Sequence, residues 1–315
     1  MPIAELHQSS PAARRPSLRR VILAGACALL LAPLGLAHAA DANGMSPKVT
    51  KLLPADLHGA LQTALPAALQ SKDTLVMATD GTAGKPIAWV DADSSIKGVA
   101  VDMAEALGYV LGKRVQVVNT PFEDMIPSLQ ASRADFSISD MLDAKKREQV
   151  VDFVDYLIDG SSILVAAGSS LHDLTLAKMC GLAAGSIRGS VEEGYLEKQA
   201  ATCKSEGKPA LTVNVYQGND TMLLALVSGR VDVMMGASAQ LAYVQEISHG
   251  KAKQGGAPVG VAVDGIAVLK SSGLAAPMQQ ALQKLMDSGV YMKILALYGM
   301  QENGLPAAKI DQASY

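Results

Sequence analysis

The chain is 315 residues long, 49% hydrophobic and 18% charged, with 27 basic and 30 acidic side chains and a net charge of −3. That length suits ordinary folded domains, and the acidic balance argues against nucleic acid and anionic membrane surfaces as partners. The ligand supply argues against a zinc centre: there are three cysteines, and His58, His172 and His249 are scattered singly, without metal spacing.

Residues 1–39 have the make-up of an export signal. Arg14, Arg15, Arg19 and Arg20 form a positive start, Val21 to Leu36 is a mostly apolar run, and Ala37-His38-Ala39 offers a small-residue cleavage site, placing cleavage near Ala39 or Ala40. The competing reading, a membrane anchor, is disfavoured because the run is short and nothing positive follows it. Cys27 lies inside the run rather than after it, which disfavours lipid attachment. Arg19-Arg20 loosely resembles a twin-arginine signal, although general secretory export fits better. The segment holds four arginines and one glutamate, so the mature chain carries 23 basic and 29 acidic side chains, a net charge of −6.

Residues 40–72 form a leader with Pro54 and Pro66, partly helical and without visible chemistry. From Thr74 strands and helices alternate. Thr74 to Thr79 reads as a short strand ending in the turn signal Asp80-Gly81. Met103, Ala106, Leu107, Val110 and Leu111 share one helical face, and Gly112 stops that helix. Arg114 to Val118 is a strand. Thr120-Pro121-Phe122-Glu123 then combines a capping box with proline at the first helical position. Ala134 to Ser139 is the next strand, and it leads to Arg147 on a loop entering a helix.

In the second half Ser190-Val191-Glu192-Glu193 is another capping box. Thr221 to Val227 reads as a helix, Val231 to Met235 as a buried strand and Ser238 to Ile247 as a helix. Ser161 to Ser170 and Val259 to Val268 read as extended crossings. Two last helices carry Met278, Ala281, Leu282 and Leu285, then Tyr291, Ile294, Leu295 and Tyr298. The alternation predicts an α/β fold with mainly parallel sheets flanked by helices, and ligands in such sheets gather at the carboxyl ends of strands. Cys180 and Cys203 are an even pair in an exported chain, which reads first as a disulfide worth roughly 3 kcal/mol in the chain-entropy model.

Several stretches also resemble a known family. They are Thr74 to Asp80, Phe122 to Pro127, Ile138 to Phe153, Val151 to Tyr156, Gly229 to Asp232, Asp264 to Val268 and Gly289 to Leu295. Their order and spacing resemble the family 3 periplasmic solute-binding proteins, the polar amino-acid receptors of ABC importers. The words around Cys180 and Cys203 resemble a disulfide-bearing branch. The resemblance implies a two-lobed type II periplasmic-binding-protein fold joined by two crossing strands. Lobe one would be residues 73–165 and 265–300, lobe two 166–264, and residues 301–315 a C-terminal tail. It further implies a periplasmic monomer that needs no cofactor. Such a protein would capture a small carboxylate-bearing solute by lobe closure, hinging on the crossing strands, and deliver it to an ABC permease in the inner membrane.

Arg147 has the leading role implied, since its planar fork grips a carboxylate through two parallel hydrogen bonds. Its bland alternative is a solvated arginine among Lys145, Lys146 and Glu148. Ser190 resembles the second-lobe hydroxyl that meets the same carboxylate at a helix N-terminus. Ser139 and Asp140 sit where the family presents polar groups. Asp80 resembles the first-lobe acid that faces a polar or cationic side chain, with turn formation as its rival. Phe122 fits the aromatic wall, and the role of Trp89 is open.

Three departures stand out. Ala237 occupies the position of the aspartate that accepts the ligand's ammonium in many relatives. Leu142 replaces a serine or threonine, and the loop Gly81 to Pro86 lacks an aromatic. Asp140 or Asp80 would supply the missing charge, or the ligand is not an ordinary α-amino acid; Lys85 could then pair with a second carboxylate. Two rival readings follow, an enzyme of the cyclohexadienyl dehydratase type with Asp140 as general acid, and a ligand-sensing partner of a membrane receptor.

Overall fold

The computed structural model describes residues 45–313. The expected export signal and its cleavage site lie outside the described residues. Among these residues no helix is long and apolar enough to cross a membrane.

The leader contributes two short helices, α1 (Pro47–Thr50) and α2 (Ala67–Gln70), with two 3-10 turns between them. It packs into the first lobe: Val49, Leu57, Leu65 and Leu69 join that lobe's core. The buried Lys113 Nζ ties it down by donating to the carbonyls of Gln70 (2.7 Å) and Lys72 (2.6 Å). The alternation then follows: β1 (Thr74–Thr79), the hairpin β2 (Trp89–Val90) and β3 (Ile96–Lys97), α3 (Val99–Val110), β4 (Arg114–Asn119), α4 (Met125–Gln130) and β5 (Phe136–Ser137). A long strand β6 (Val151–Ala166) leads to β7 (Ala183–Ile187), α5 (Val191–Ser205), β8 (Thr212–Tyr216), α6 (Asn219–Val227), β9 (Val233–Ala237), α7 (Ser238–Ile247) and β10 (Ala252–Gln254). The chain returns through β11 (Val259–Leu269) to α8 (Ala275–Asp287), α9 (Val290–Ala296) and β12 (Lys309–Ile310).

The main sheet has the order β4-β1-β5-β11-β6-β9-β7-β8. β4, β1 and β5 are mutually parallel, as are β9, β7 and β8, while β6 and β11 pair antiparallel between these two sets. The two central strands therefore belong to both lobes, and the fold is the two-lobed architecture with two crossings. Each crossing is longer than an ordinary strand because it serves both half-sheets in turn. β6 begins ten residues before the predicted Ser161 because Val151 to Ile158 already pairs with β11. Burial on both faces removes any clean alternation along it, and the polar residues it carries, Asp155, Asp159, Ser161 and Ser162, are buried as well. Between the two crossing strands Gly265 marks a close approach: a Cβ there would lie 2.6 Å from Cβ of Phe153.

Two local expectations are corrected. Thr120 does not cap the helix before α4. Pro121 is itself in the extended cap position, a 3-10 turn begins at Phe122, and the Thr120 hydroxyl turns back to the Val118 carbonyl. Arg147 does not enter a helix either; residues 145–150 are a series of turns closed by bonds such as Arg147 N–H to the Ala144 carbonyl (2.8 Å). The C-terminal segment is no loose tail within the described residues, since β12 pairs with β6 at Asp155 and Val154.

Candidate functional site

The carboxyl ends of β1, β5, β7 and β9 face one another across the crossing strands and leave a cleft of about 550 Å³, counted to its open mouth. Arg147 lies in it. Its Nη1 donates to the Leu142 carbonyl (2.7 Å) and its Nη2 to the Gly189 carbonyl (3.0 Å), while the guanidinium stands 5.5 Å from the Phe122 ring centroid. A cation over an aromatic face is stabilised by the ring quadrupole. The fork is thus oriented by one carbonyl from each lobe and one ring, with its remaining donors available. Burial pulls its pKa down, and Glu192, Asp264, Asp140 and Asp143 push it back up. It remains a guanidinium.

Ser190 caps α5 as predicted, its hydroxyl accepting from Glu193 N–H (3.2 Å). The reciprocal bond runs from Gly189 N–H to Glu193 Oε2 (2.6 Å), one residue before the cap. Ser190 lines the cleft beside Gly189, so the positive end of α5 and the Arg147 fork converge, an arrangement suited to a carboxylate.

Around that point the cleft is acidic. Asp80, Asp140, Asp159, Glu192 and Asp264 all line it, against the single base Arg147. Asp80 Oδ1 accepts from the Thr82 N–H (2.8 Å) and hydroxyl (2.7 Å), so it forms a turn and faces the cleft at once. Burial raises its pKa and these bonds oppose the rise. Burial raises Asp140 to about 7, against the Ser139 hydrogen bond and with the help of Asp159 and Glu192. Asp159 is raised to about 6, again mainly by burial, and Asp264 stands well above the ordinary carboxylate value for the same reason. Asp264 Oδ2 and Asn219 Oδ1 are buried in the cleft wall with no hydrogen-bond donor.

Of the predicted residues, Arg147, Ser190, Asp80, Phe122 and Asp140 come together around the cleft. Ser139 does not reach it: the side chain is fully buried behind Asp140, donating to its Oδ1 at 2.9 Å. Lys85 is also outside the lining. It stands 5.2 Å from the Trp89 ring and 5.9 Å from the Tyr243 ring, which gives both Trp89 and Lys85 a place at the lobe junction instead. Ala237 and Leu142 do line the cleft, so both departures fall where a ligand would touch them.

Asp159, Glu192, Asp264, Asn219 and Gln240 were not anticipated. Asp159 has no distinguishing signal, being one of three aspartates in β6. Glu192 hides inside the capping box. Asp159 lies close to Ala237: two residues from Ser161, which pairs with Ala237, it reaches the start of α7 and accepts from Ala239 N–H (3.2 Å).

The lobes also touch directly. Asn219 Nδ2, which also donates to Gln240 Oε1 within the second lobe (2.9 Å), donates to the Ala83 carbonyl across the cleft (3.0 Å); the Thr82 hydroxyl donates to the Gln217 carbonyl (3.3 Å), and Gln217 Nε2 donates to Glu123 Oε1 (3.4 Å). The arrangement is a closed one. Away from the cleft, Cys180 and Cys203 form a disulfide with Cα atoms 5.7 Å apart, joining the loop before β7 to the last turns of α5.

Comparison with known proteins identifies the family. The family model of the bacterial extracellular solute-binding proteins, family 3, matches residues 75–301. The arginine-binding protein ArgT of Corynebacterium glutamicum is 30% identical over 258 residues, 80% of this chain and 83% of that protein. The lysine/arginine/ornithine-binding periplasmic protein of Escherichia coli is 32% identical over 179 residues, 56% of this chain and 65% of that one. Among solved structures, an ancestral arginine-binding protein bound to arginine superposes with a TM-score of 0.65 at 28% identity, covering 72% of this chain and 98% of that chain. The chain belongs to the bacterial extracellular solute-binding proteins of family 3.

Proposed function

We propose that this protein is the periplasmic substrate-binding component of an ABC importer and that its ligand is an amino acid with a cationic side chain. The observation that carries the reading is the surplus of acceptors in the cleft, where five carboxylates and the orphaned oxygens of Asp264 and Asn219 face one arginine. Buried acceptors without donors are costly, and a ligand bearing ammonium and guanidinium or amine groups would satisfy them. Arg147 and the start of α5 would hold the ligand's carboxylate. Asp159, beside Ala237, would meet its ammonium, and Asp80 with Asp140 would face the side chain. The named relatives that bind arginine, lysine or ornithine support the same class.

The ligand would dock on Arg147 in the first lobe, and the second lobe would then close, making the contacts of Asn219 and Gln217. The closed monomer would be the form that the inner-membrane permease receives. Calorimetry on refolded, ligand-free protein tests this against arginine, its neutral isostere citrulline, glutamine and prephenate. Arginine binding tightly, with prephenate unbound, is the expected result; binding of prephenate alone would refute it.

A second reading is favoured by one feature, the Asp140 carboxyl held near neutrality at about 7. That is the property of a general acid, as in a cyclohexadienyl dehydratase. Sustained turnover of prephenate or arogenate, lost in Asp140→Asn, would establish it.

A further inference from the structure

A second group of acids lies outside the cleft lining, around the turn that carries Arg147. Asp143 lies just before that turn and Glu148 within it, Asp155 belongs to β6, and Asp311 to the segment just after β12. Carboxylate oxygens of Asp143, Glu148 and Asp311 all lie within 4.8 Å of one another. Asp143 is 0% exposed and neither oxygen of its carboxyl has a hydrogen-bond donor, while Asp155, 1% exposed beside it, is reached by the Gln312 backbone N–H. The backbone builds this convergence deliberately: pairing of Lys309 with Asp155 and the bond from Phe153 N–H to Asp311 Oδ1 (2.8 Å) hold Asp311 beside β6. The neighbouring cations are peripheral. Lys145 lies 2.9 Å from Glu148 Oε2, and Lys270, engaged chiefly with Asp152, is 3.7 Å from Asp311 Oδ2. Neither supplies a donor to Asp143 or Asp155.

We propose that Asp143, Glu148 and Asp311 form a binding site for a hard divalent cation, calcium, with the carboxylate of Asp155 beside it. An all-oxygen, carboxylate-rich donor set selects calcium or magnesium over zinc, and calcium tolerates the irregular geometry of ligands drawn from a turn and a terminal segment. The ion would supply the positive charge that the buried, donorless carboxyl of Asp143 lacks. The site also has a structural consequence. Asp143 and Glu148 bracket Arg147 in sequence, so the ion would fasten the base of that turn to β6 and to the C-terminal segment.

The test is calorimetry and thermal unfolding of the protein purified from the periplasm and stripped with a chelator, with calcium chloride against magnesium and sodium chloride at matched ionic strength. Calcium at a hundredfold its dissociation constant should raise Tm by about 5 °C or more. Asp311→Asn, a change in a partly exposed terminal segment, should abolish the rise, as should Asp143→Asn. No rise up to about 10 mM calcium, beyond the weak range of extracellular calcium sites, would overturn the proposal. So would a rise that persists in both variants, which would put the ion elsewhere. Stabilisation by mild acid without any calcium effect would also overturn it, since the carboxyls would then be sharing a proton.

Discussion

The two lobes solve the problem of stability differently. The first builds one large core in which the leader, α3, α8 and α9 pack together, and a smaller one on the opposite sheet face around Met125, Leu129 and Phe153. The second has only small cores, one on each face of its half-sheet, and one of these contains Cys203 of the disulfide. A lobe with less apolar burial depends more on a covalent tie. The lobes also contribute differently to the cleft. The first presents side chains already set by neighbours: Arg147 by the Leu142 carbonyl and Phe122, Asp80 by Thr82, Asp140 by Ser139. The second presents helix starts, at Ser190 of α5 and Asn219 of α6. On the proposed function, affinity would reside mainly in the first lobe and closure in the second.

Arg147→Ala should break this division most severely. Ligand affinity should fall at least a hundredfold, in line with about 2–5 kcal/mol for truncating one partner of a buried charge pair. The circular dichroism spectrum should remain that of a folded protein. Unchanged affinity would remove the central residue. Next in size is Cys180→Ser with Cys203→Ser. Losing the bridge should cost roughly 3 kcal/mol and lower Tm by roughly 5–10 °C. In hydrogen exchange the lost protection should fall on α5 and β7 rather than on α3 and β1. A uniform loss across both lobes would contradict the contrast between them.

The smallest effect is a pH dependence. The folded cleft holds Asp140 at about 7 and Asp159 at about 6, above the value of about 4 for an unfolded carboxyl. Between those values the folded protein keeps protons that the unfolded chain has released. The stability of ligand-free protein should therefore be greatest near the acid end of that window and decline as pH rises from about 4 through about 7. A cationic ligand opposes the same protons, so its affinity should run the other way, weaker at pH 5 than at pH 8. Thermal melts and calorimetry at both pH values check the two signs, and Asp140→Asn should flatten each.

Much of the fold was legible because local signals agreed with it. α7 begins and ends where its sequence pattern predicts, and the Ser190 box caps α5. The capping box at Thr120 does not form because Pro121 favours an extended cap over the first helical position, which a spacing rule cannot distinguish. Within the site, Arg147, Asp80 and Phe122 could be found because they sit in recognisable words at strand ends. Asp159 and Asp264 could not. They are buried acids within strands, and only the crossing of β6 and β11 turns them toward the cleft. The Asp143, Asp155 and Asp311 cluster was hidden more deeply, since no spacing joins a turn, a strand and the end of the chain.

The central claim is that the acid-rich cleft selects a cationic side chain. Calorimetric titration of ligand-free protein with L-arginine and with L-citrulline tests it directly, because the two differ by one charge at nearly constant shape. The account predicts that arginine binds at least about a hundredfold more tightly, as expected for a charge meeting buried carboxylates. Equal affinities, or a preference for citrulline, would contradict it.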